Sequence, residues 1–514
     1  MADAVEEHDA PGTVLLAEKQ GSTNRILLHP TPSEDPNDPL NWSPFRKNIN
    51  FGLACVYVCL TFVQLDNAYV AYEPYSEDLG VTYDSYNQSI ALNYAGLAAS
   101  AISGKHGGAA CSMHLGRYMH NSGELIANSF VGGLGGALSE TIAVVTIGDL
   151  YFVHHHALLN GIFLFMQSIG AYIGPVVMGY AVQNVGWRWM WNITSIMIGV
   201  TLAASLLLFE ETKYVPVCNG EASSTPTQNT SPESSSLKAG DGAIDLDETQ
   251  RVTTTELAYN RRSYRQRMAL VTPTDEPILR HFYQPISILF AIPGVAYCAI
   301  TYGTMLAWIS MLSSAQSYYT LLPPYNLDPN QVGLLSLGPF IGLFVGTIIF
   351  SPASDWSIVK LSTRNKGVFE PEMRLWLSFL GAALGFVGIL VFGYCLGQGR
   401  SIYAVLAGYA IYNAGWVICA DVSLTYVLDC YHNIVGDGMV AIVFCRNIIS
   451  VVMLFIYTPW IEHMGIQNTF LVVAVICLVV CVACPVVLLL FGKRLRIATA
   501  KRYRDLSGRQ VRHR

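Results

Sequence analysis

Apolar residues in this chain run together rather than alternating with polar ones. A helix needs about 20 mostly apolar residues to cross the hydrocarbon core of a bilayer. Stretches of that kind recur at 48–71, 87–103, 124–148, 158–182, 189–208, 286–310, 332–352, 375–397, 402–427, 439–460 and 468–491. The pattern predicts eleven spanning helices, the second short and comparatively polar. A polar interruption over 209–285 divides them into five and six. Its middle, Glu221 to Ser236, is rich in Ser, Thr and Pro and reads as a solvated linker. Its later part carries a basic cluster, Arg261 to Arg267. That cluster reads as positive-inside charge, or as a kinase or anionic-lipid site. The layout predicts an N-terminal tail (1–47), a first bundle (48–208), a linker (209–283), a second bundle (284–491) and a basic tail (492–514).

Composition agrees with the pattern. Of 514 residues, 52% are hydrophobic and 13% charged, about half the charged share of a soluble domain. A disordered chain, a basic nucleic-acid binder and an ordinary cytosolic enzyme are excluded. Charge placement then orients the chain, because cytoplasmic loops are enriched in Lys and Arg. Residues 73–86 hold Glu73, Glu77, Asp78 and Asp84 with no Lys or Arg, whereas the stretch from Lys493 to Arg514 holds nine basic residues. Both termini are therefore expected in the cytosol, with an even number of crossings. The cysteines fall mostly inside apolar runs, so Cys481 and Cys484 read as packing. No Ser/His/Asp, zinc-binding or phosphate-loop pattern appears on the polar loops, and His154 to His156 point different ways on a helix and cannot share one ion.

Ionisable groups inside a span are costly unless they face a cavity or a partner. Asp66 in the first span, Glu140 in the fourth and Asp421 in the tenth are the candidate sites for protons or a cationic solute, since a carboxylate withheld from water keeps its proton more readily. Asp149, near the end of the fourth span, reads as a helix-end or gate residue. Asp429 and Arg446 read as an inter-helix charge pair near the inner gate, functional or merely structural. Tyr297, Tyr302, Trp308, Tyr409, Tyr412 and Trp416 offer aromatic faces suited to flat or cationic ligands, or to ordinary interfacial anchoring.

Several motifs, in order, resemble the major facilitator superfamily, in particular fungal-type twelve-span drug:proton antiporters and their polyamine-transporter relatives. They are Asn37 to Ser43 followed by Arg46 and Lys47, Gly186-Trp-Arg-Trp189, Glu211 to Tyr214, Asn365 to Leu375, Tyr426 to Tyr431, and Arg446-Asn447. Gly170, Gly174, Pro175 and Gly179 are similar to the antiporter motif of the fifth span, with Met178 in place of a glycine. Small residues there let helices approach closely. Ser129 stands where the fourth-span motif usually has an arginine. Asp355 resembles the acidic member of the second-half gating loop. Residues 101–121, rich in Gly and His, depart from the family: the third span is degraded or missing.

The resemblance implies an all-α polytopic membrane protein with the major facilitator fold, two pseudo-symmetric six-helix bundles around a central cavity. It implies proton-coupled efflux of small organic molecules at the plasma membrane by a monomer. The proton gradient is the energy source, and no cofactor, metal or nucleic acid takes part. Uptake of polyamines or other organic cations by the same fold stays open, as does a non-transporting, decayed relative.

Overall fold

The computed structural model describes residues 14–15, 38–103, 115–151, 153–210, 278–364, 368–431 and 434–511. The chain enters through a short 3-10 turn, Pro39–Asn41, where Asp38 Oδ1 accepts from the Leu40 N–H at 2.9 Å. Pro44 opens α1 (Pro44–Asp66), at a position where a missing N–H costs nothing. A second 3-10 turn, Asn67–Val70, leads to α2 (Tyr72–Leu79), which Gly80 ends in the left-handed region (φ 63°). Next come α3 (Tyr83–Ser103) and α4 (Ser122–Leu150), the latter capped by Asn121 Oδ1 accepting from the Glu124 N–H at 2.9 Å. Then α5 (Val153–Ser168) runs through one π-helical turn, Ile169–Ile173, into α6 (Gly174–Val185), and α7 (Trp187–Leu208) completes the first group.

The second group comprises α8 (Ile278–Ala291), α9 (Pro293–Tyr319), α10 (Pro329–Leu335), α11 (Leu337–Arg364), α12 (Leu375–Gly397) and α13 (Ile402–Cys430). A last helical run, Val435–Val511, bends at Gly465 (φ 74°) into α14 (435–464) and α15 (466–511). Apart from the two-residue antiparallel pairing of Val14–Leu15 with Val368–Phe369, the described chain is helical. Eight stretches are long and apolar enough to cross a membrane, the last of them holding both α14 and α15. With α3 and α4, five helices cross in the first group and six in the second.

Each group has its own apolar core. Tyr75, Tyr86 and Met190 are buried in the first, and Trp308, Phe392, Tyr412 and Cys477 in the second. Large apolar side chains such as Val200, Leu207 and Ile348 point outward, as a lipid solvent requires. One end of the bundle is basic. There Arg46 donates to both Glu210 carboxylate oxygens through Nε and Nη2 and lies 3.6 Å over the Trp42 ring. Arg496 clamps Glu372 through two bonds of 2.8 and 2.9 Å, and Lys493 reaches Glu370 at 3.4 Å. The opposite end is acidic, with Glu73, Glu77, Asp78, Asp84 and Asp328.

Two expectations change. The seventh span, expected at 286–310, is Pro293–Tyr319, and a separate helix α8 precedes it. A residue before proline is pushed out of the helical region, and Ile292 is accordingly extended (φ −121°, ψ 102°). The first bundle holds five described spanning helices rather than six. An added Cβ at Gly96 would meet Phe130 and Leu134, and one at Gly136 would meet Leu97. Leu125, at the start of α4, shares a cluster with Tyr86 and Ile90, at the start of α3. The two helices thus run parallel, from the acidic end to the basic end. Residues 104–114 lie outside the described set; by Gly116, packed on Trp191, the chain is back at the acidic end.

Candidate functional site

The two groups enclose a central cavity of about 120 Å³. Its described walls come from α1, α3, the α5–α6 helix, α9, α10, α11, α13 and α14. Asp66, at the end of α1, and Asp421, about two-thirds of the way along α13, both line it, as does Arg446 of α14. Sequence reasoning named these three, and the fold brings them into one space. Arg446 is almost fully buried (4% exposed), with its Cζ 4.9 Å from the Tyr302 ring centroid, and Tyr302 in turn stacks on Trp416 at 6.2 Å. Asp66 lies in electrostatic reach of the Tyr69, Tyr94, Tyr172 and Tyr409 hydroxyls. Tyr94 also senses Arg446 and accepts from Ser310 Oγ at 2.8 Å.

The remaining charge candidates fall elsewhere. Asp429 takes Arg374 as partner at 2.8 Å. The expected Asp429–Arg446 pair does not form: Arg446 sits level with Trp416, thirteen residues and so ~20 Å along α13 from Asp429. Glu140, Asp149 and Asp355 are on α4 and α11, but their side chains, like His154 to His156 and the 261–267 cluster, lie outside the described residues.

Sequence reasoning named Trp416 of the neutral polar lining but missed Asn93 and Gln316. Asn93 Oδ1, Gln316 Oε1 and Trp416 Nε1 are buried at the cavity with no hydrogen-bond partner among the described residues. A buried polar atom without a partner costs ~1–3 kcal/mol, so these atoms are positions for water or a solute. Asn and Gln inside otherwise apolar runs were the available signal.

The glycines of the fifth span work as close contacts. A Cβ at Gly170 would lie 2.2 Å from Cys59 O, and one at Gly179 would lie 2.8 Å from Pro329 O, in the other group. Between them the π-helical turn carries Tyr172, whose hydroxyl donates to Asn413 Oδ1 of α13 at 2.7 Å. Such turns concentrate at functional sites.

Bonds between the groups gather towards the acidic end. Tyr83 stacks on Tyr318 with centroids 4.0 Å apart, and Tyr72 meets Tyr318 edge-on at 5.2 Å. The hydroxyls of Tyr83 and Ser314, and of Tyr86 and Ser317, are each 3.2 Å apart. Asn87 Nδ2 donates to Thr458 Oγ1 at 2.9 Å, Ser314 Oγ donates to Asn87 Oδ1, and Ser317 Oγ to the Tyr69 carbonyl. These contacts close the cavity at the acidic end.

The sequence profile described as the Major Facilitator Superfamily matches residues 107–454, more than half of the chain. The chain belongs to that superfamily. It is a multi-pass membrane transporter of small molecules, not an enzyme. An uncharacterised MFS-type transporter of Schizosaccharomyces pombe is 27% identical, with 96% of this chain and 94% of the relative covered. Protein HOL1 of Saccharomyces cerevisiae is 24% identical over the same shares of the two chains. A probable efflux pump, mfs2 of Aspergillus flavus, is 24% identical with 65% of this chain and 72% of the relative covered. Among solved structures, the partially occluded inward-open xylose transporter XylE of E. coli is similar, with a TM-score of 0.55 and 11% identity over 87% of this chain and 98% of that one. This facilitator fold is the one that the family resemblance of its motifs implied.

Proposed function

We propose that this facilitator exports small organic molecules bearing a protonated amine in exchange for protons, as a monomer of the plasma membrane with its basic end in the cytosol. The observation that carries the reading is the acceptor-rich, aromatic cavity: Asp66, Asp421, Asn93 Oδ1 and Gln316 Oε1 share it with Tyr69, Tyr94 and Tyr302. Carboxylates and amide oxygens accept the N–H groups of an ammonium, and aromatic faces attract it. A proton and a cationic solute compete for the same carboxylates, which is the elementary requirement for exchange. Kinship with a probable efflux pump supports the outward direction.

The test is flux of a cationic dye or a polyamine in proteoliposomes with an imposed pH gradient. Export predicts movement against proton entry, and Asp66→Asn and Asp421→Asn each remove the part driven by the gradient. Polyamine accumulation in the same direction as proton entry would instead favour uptake of organic cations. A second reading, a membrane protein that no longer moves solute, is favoured by the parallel packing of α3 and α4 around a short connection. It predicts no flux under either gradient.

A further inference from the structure

Helix α8 presents two unlike faces. Towards the protein, Ile288 is buried and Gln284 Nε2 donates to Asp437 Oδ2 of α14 at 2.6 Å. Away from it, Tyr283 (60% exposed), Ile286 and Phe290 (81% exposed) stand at helical spacing on one stripe. Three large apolar side chains on one face of a helix at the end of a membrane bundle are stable only against an apolar phase.

Beside that stripe lies charge. From residue 466, α15 has used the ~20 residues needed to cross the hydrocarbon core by about 487. It continues through six basic residues between Lys493 and Arg504. Glu370 and Glu372 engage Lys493 and Arg496, whereas Arg494, Lys501 and Arg502 are exposed. A cleft of about 450 Å³ separates the two helices, lined by Ser287, Phe290, Ala291, Arg502, Asp505 and Leu506. It therefore joins a hydroxyl and a guanidinium to an apolar rim, with the Asp505 carboxylate reducing the local positive charge.

We propose that α8 is an interfacial helix and that this cleft binds one anionic phospholipid. The headgroup phosphate lies against Arg502 and Ser287, and the acyl chains run over the stripe of Tyr283, Ile286 and Phe290. Charge complementarity selects the occupant. A basic segment just outside a membrane helix attracts anionic headgroups at the surface, and the apolar rim distinguishes a lipid from a free phosphate.

The experiment uses the purified full chain with phosphatidylglycerol and phosphatidylcholine, reading retained lipid by native mass spectrometry. One phosphatidylglycerol should be retained in preference to phosphatidylcholine. Arg502→Gln should weaken retention about five-fold, and Lys501→Gln with Arg502→Gln by about the square of that. Arg400→Gln, the same charge change at the acidic end, should leave retention unchanged. Phe290→Ser should weaken lipid retention, and millimolar inorganic phosphate should not displace the lipid. Equal retention of both lipids by the unsubstituted chain overturns the proposal, and so does indifference to Arg502→Gln. Displacement by inorganic phosphate combined with indifference to Phe290→Ser makes the cleft a phosphate site and overturns it equally.

Discussion

Replacing Asn87 by alanine should open the acidic end of this transporter. Asn87 is fully buried on α3, where α3 meets α9 and α14. Its side chain ties the first group to the second twice, donating to Thr458 and accepting from Ser314. Each such bond is worth ~0.5–1.5 kcal/mol net. Losing both therefore costs the closed state ~1–3 kcal/mol relative to a state in which water already serves these groups. A shift of that size changes the ratio of the two states by about 5- to 150-fold. The assay is the rate at which a charged, membrane-impermeant thiol reagent modifies Ser313→Cys, a cavity position. It is applied from one side at a time, with the chain lacking that substitution as a blank for native thiols. Asn87→Ala should raise the rate from the acidic end at least about five-fold and lower it from the basic end. An unchanged rate from the acidic end, in protein of unchanged melting temperature, would refute the assignment of these bonds to closure. A rise from both sides would mean general loosening and refute it too.

Further outcomes follow from neighbouring contacts. Gly179→Ala puts a methyl 2.8 Å from Pro329 O across the same seam, so it should shift Ser313→Cys labelling in the direction Asn87→Ala does. At the basic end, Arg496→Met strands the Glu372 carboxylate; breaking a buried pair costs ~3–5 kcal/mol, visible as a lowered melting temperature in detergent. The double change Arg496→Met with Glu372→Leu should recover most of it. Asp78 accepts from the Trp187 indole at 2.8 Å and from Arg188 at 3.0 Å, and these two donors hold its carboxyl below the usual range. A depressed carboxylate stabilises the fold above its unfolded value, ~3.9, and that share is lost as pH falls through the lower folded value. Protection of the Tyr72–Leu79 amides, taken relative to their intrinsic exchange rates, should therefore fall below about pH 4, and Asp78→Asn should show reduced protection already at neutral pH.

The helices that face lipid were the legible ones. α12 and α15 fell at their expected positions because an apolar surround demands an unbroken apolar run. The misplaced helix was α9, whose far end, Ser310 to Tyr319, is polar in sequence yet buried between the groups. Its side chains spend their polarity on Tyr83, Tyr86 and Tyr94 rather than on water, so local composition misreports it. The site followed the same logic. Asp66, Asp421 and Arg446 stand out as charges among apolar neighbours. Asn93, Gln316 and the tyrosine seam do not, because neutral polar residues in a span serve packing, gating or binding without a distinguishing pattern. The partner of Asp429 was equally hidden, since Arg374 approaches from a different helix start and only the assembled bundle brings the two together.

The departure from the family pattern over residues 101–121 bears on function through where it falls. Every described residue lining the cavity comes from α1 and the turn after it, α3, the α5–α6 helix, α9, α10, α11, α13 or α14. None of the described lining comes from α4 or α7, the helices beside the 104–121 connection. The acidic-end seam uses the same subset, with α3 supplying Tyr83, Tyr86 and Asn87. On either side of that stretch α3 and α4 hold each other directly. Gly96 and Gly133 bring the two backbones together so closely that a Cβ on Gly133 would lie 2.0 Å from Asn93 O, and Gly116 and Met119 pin the returning chain against Trp191 and the outer apolar cluster. The departure from the family pattern thus falls beside two helices packed backbone to backbone, and it leaves the described walls around Asp66 and Asp421 in place.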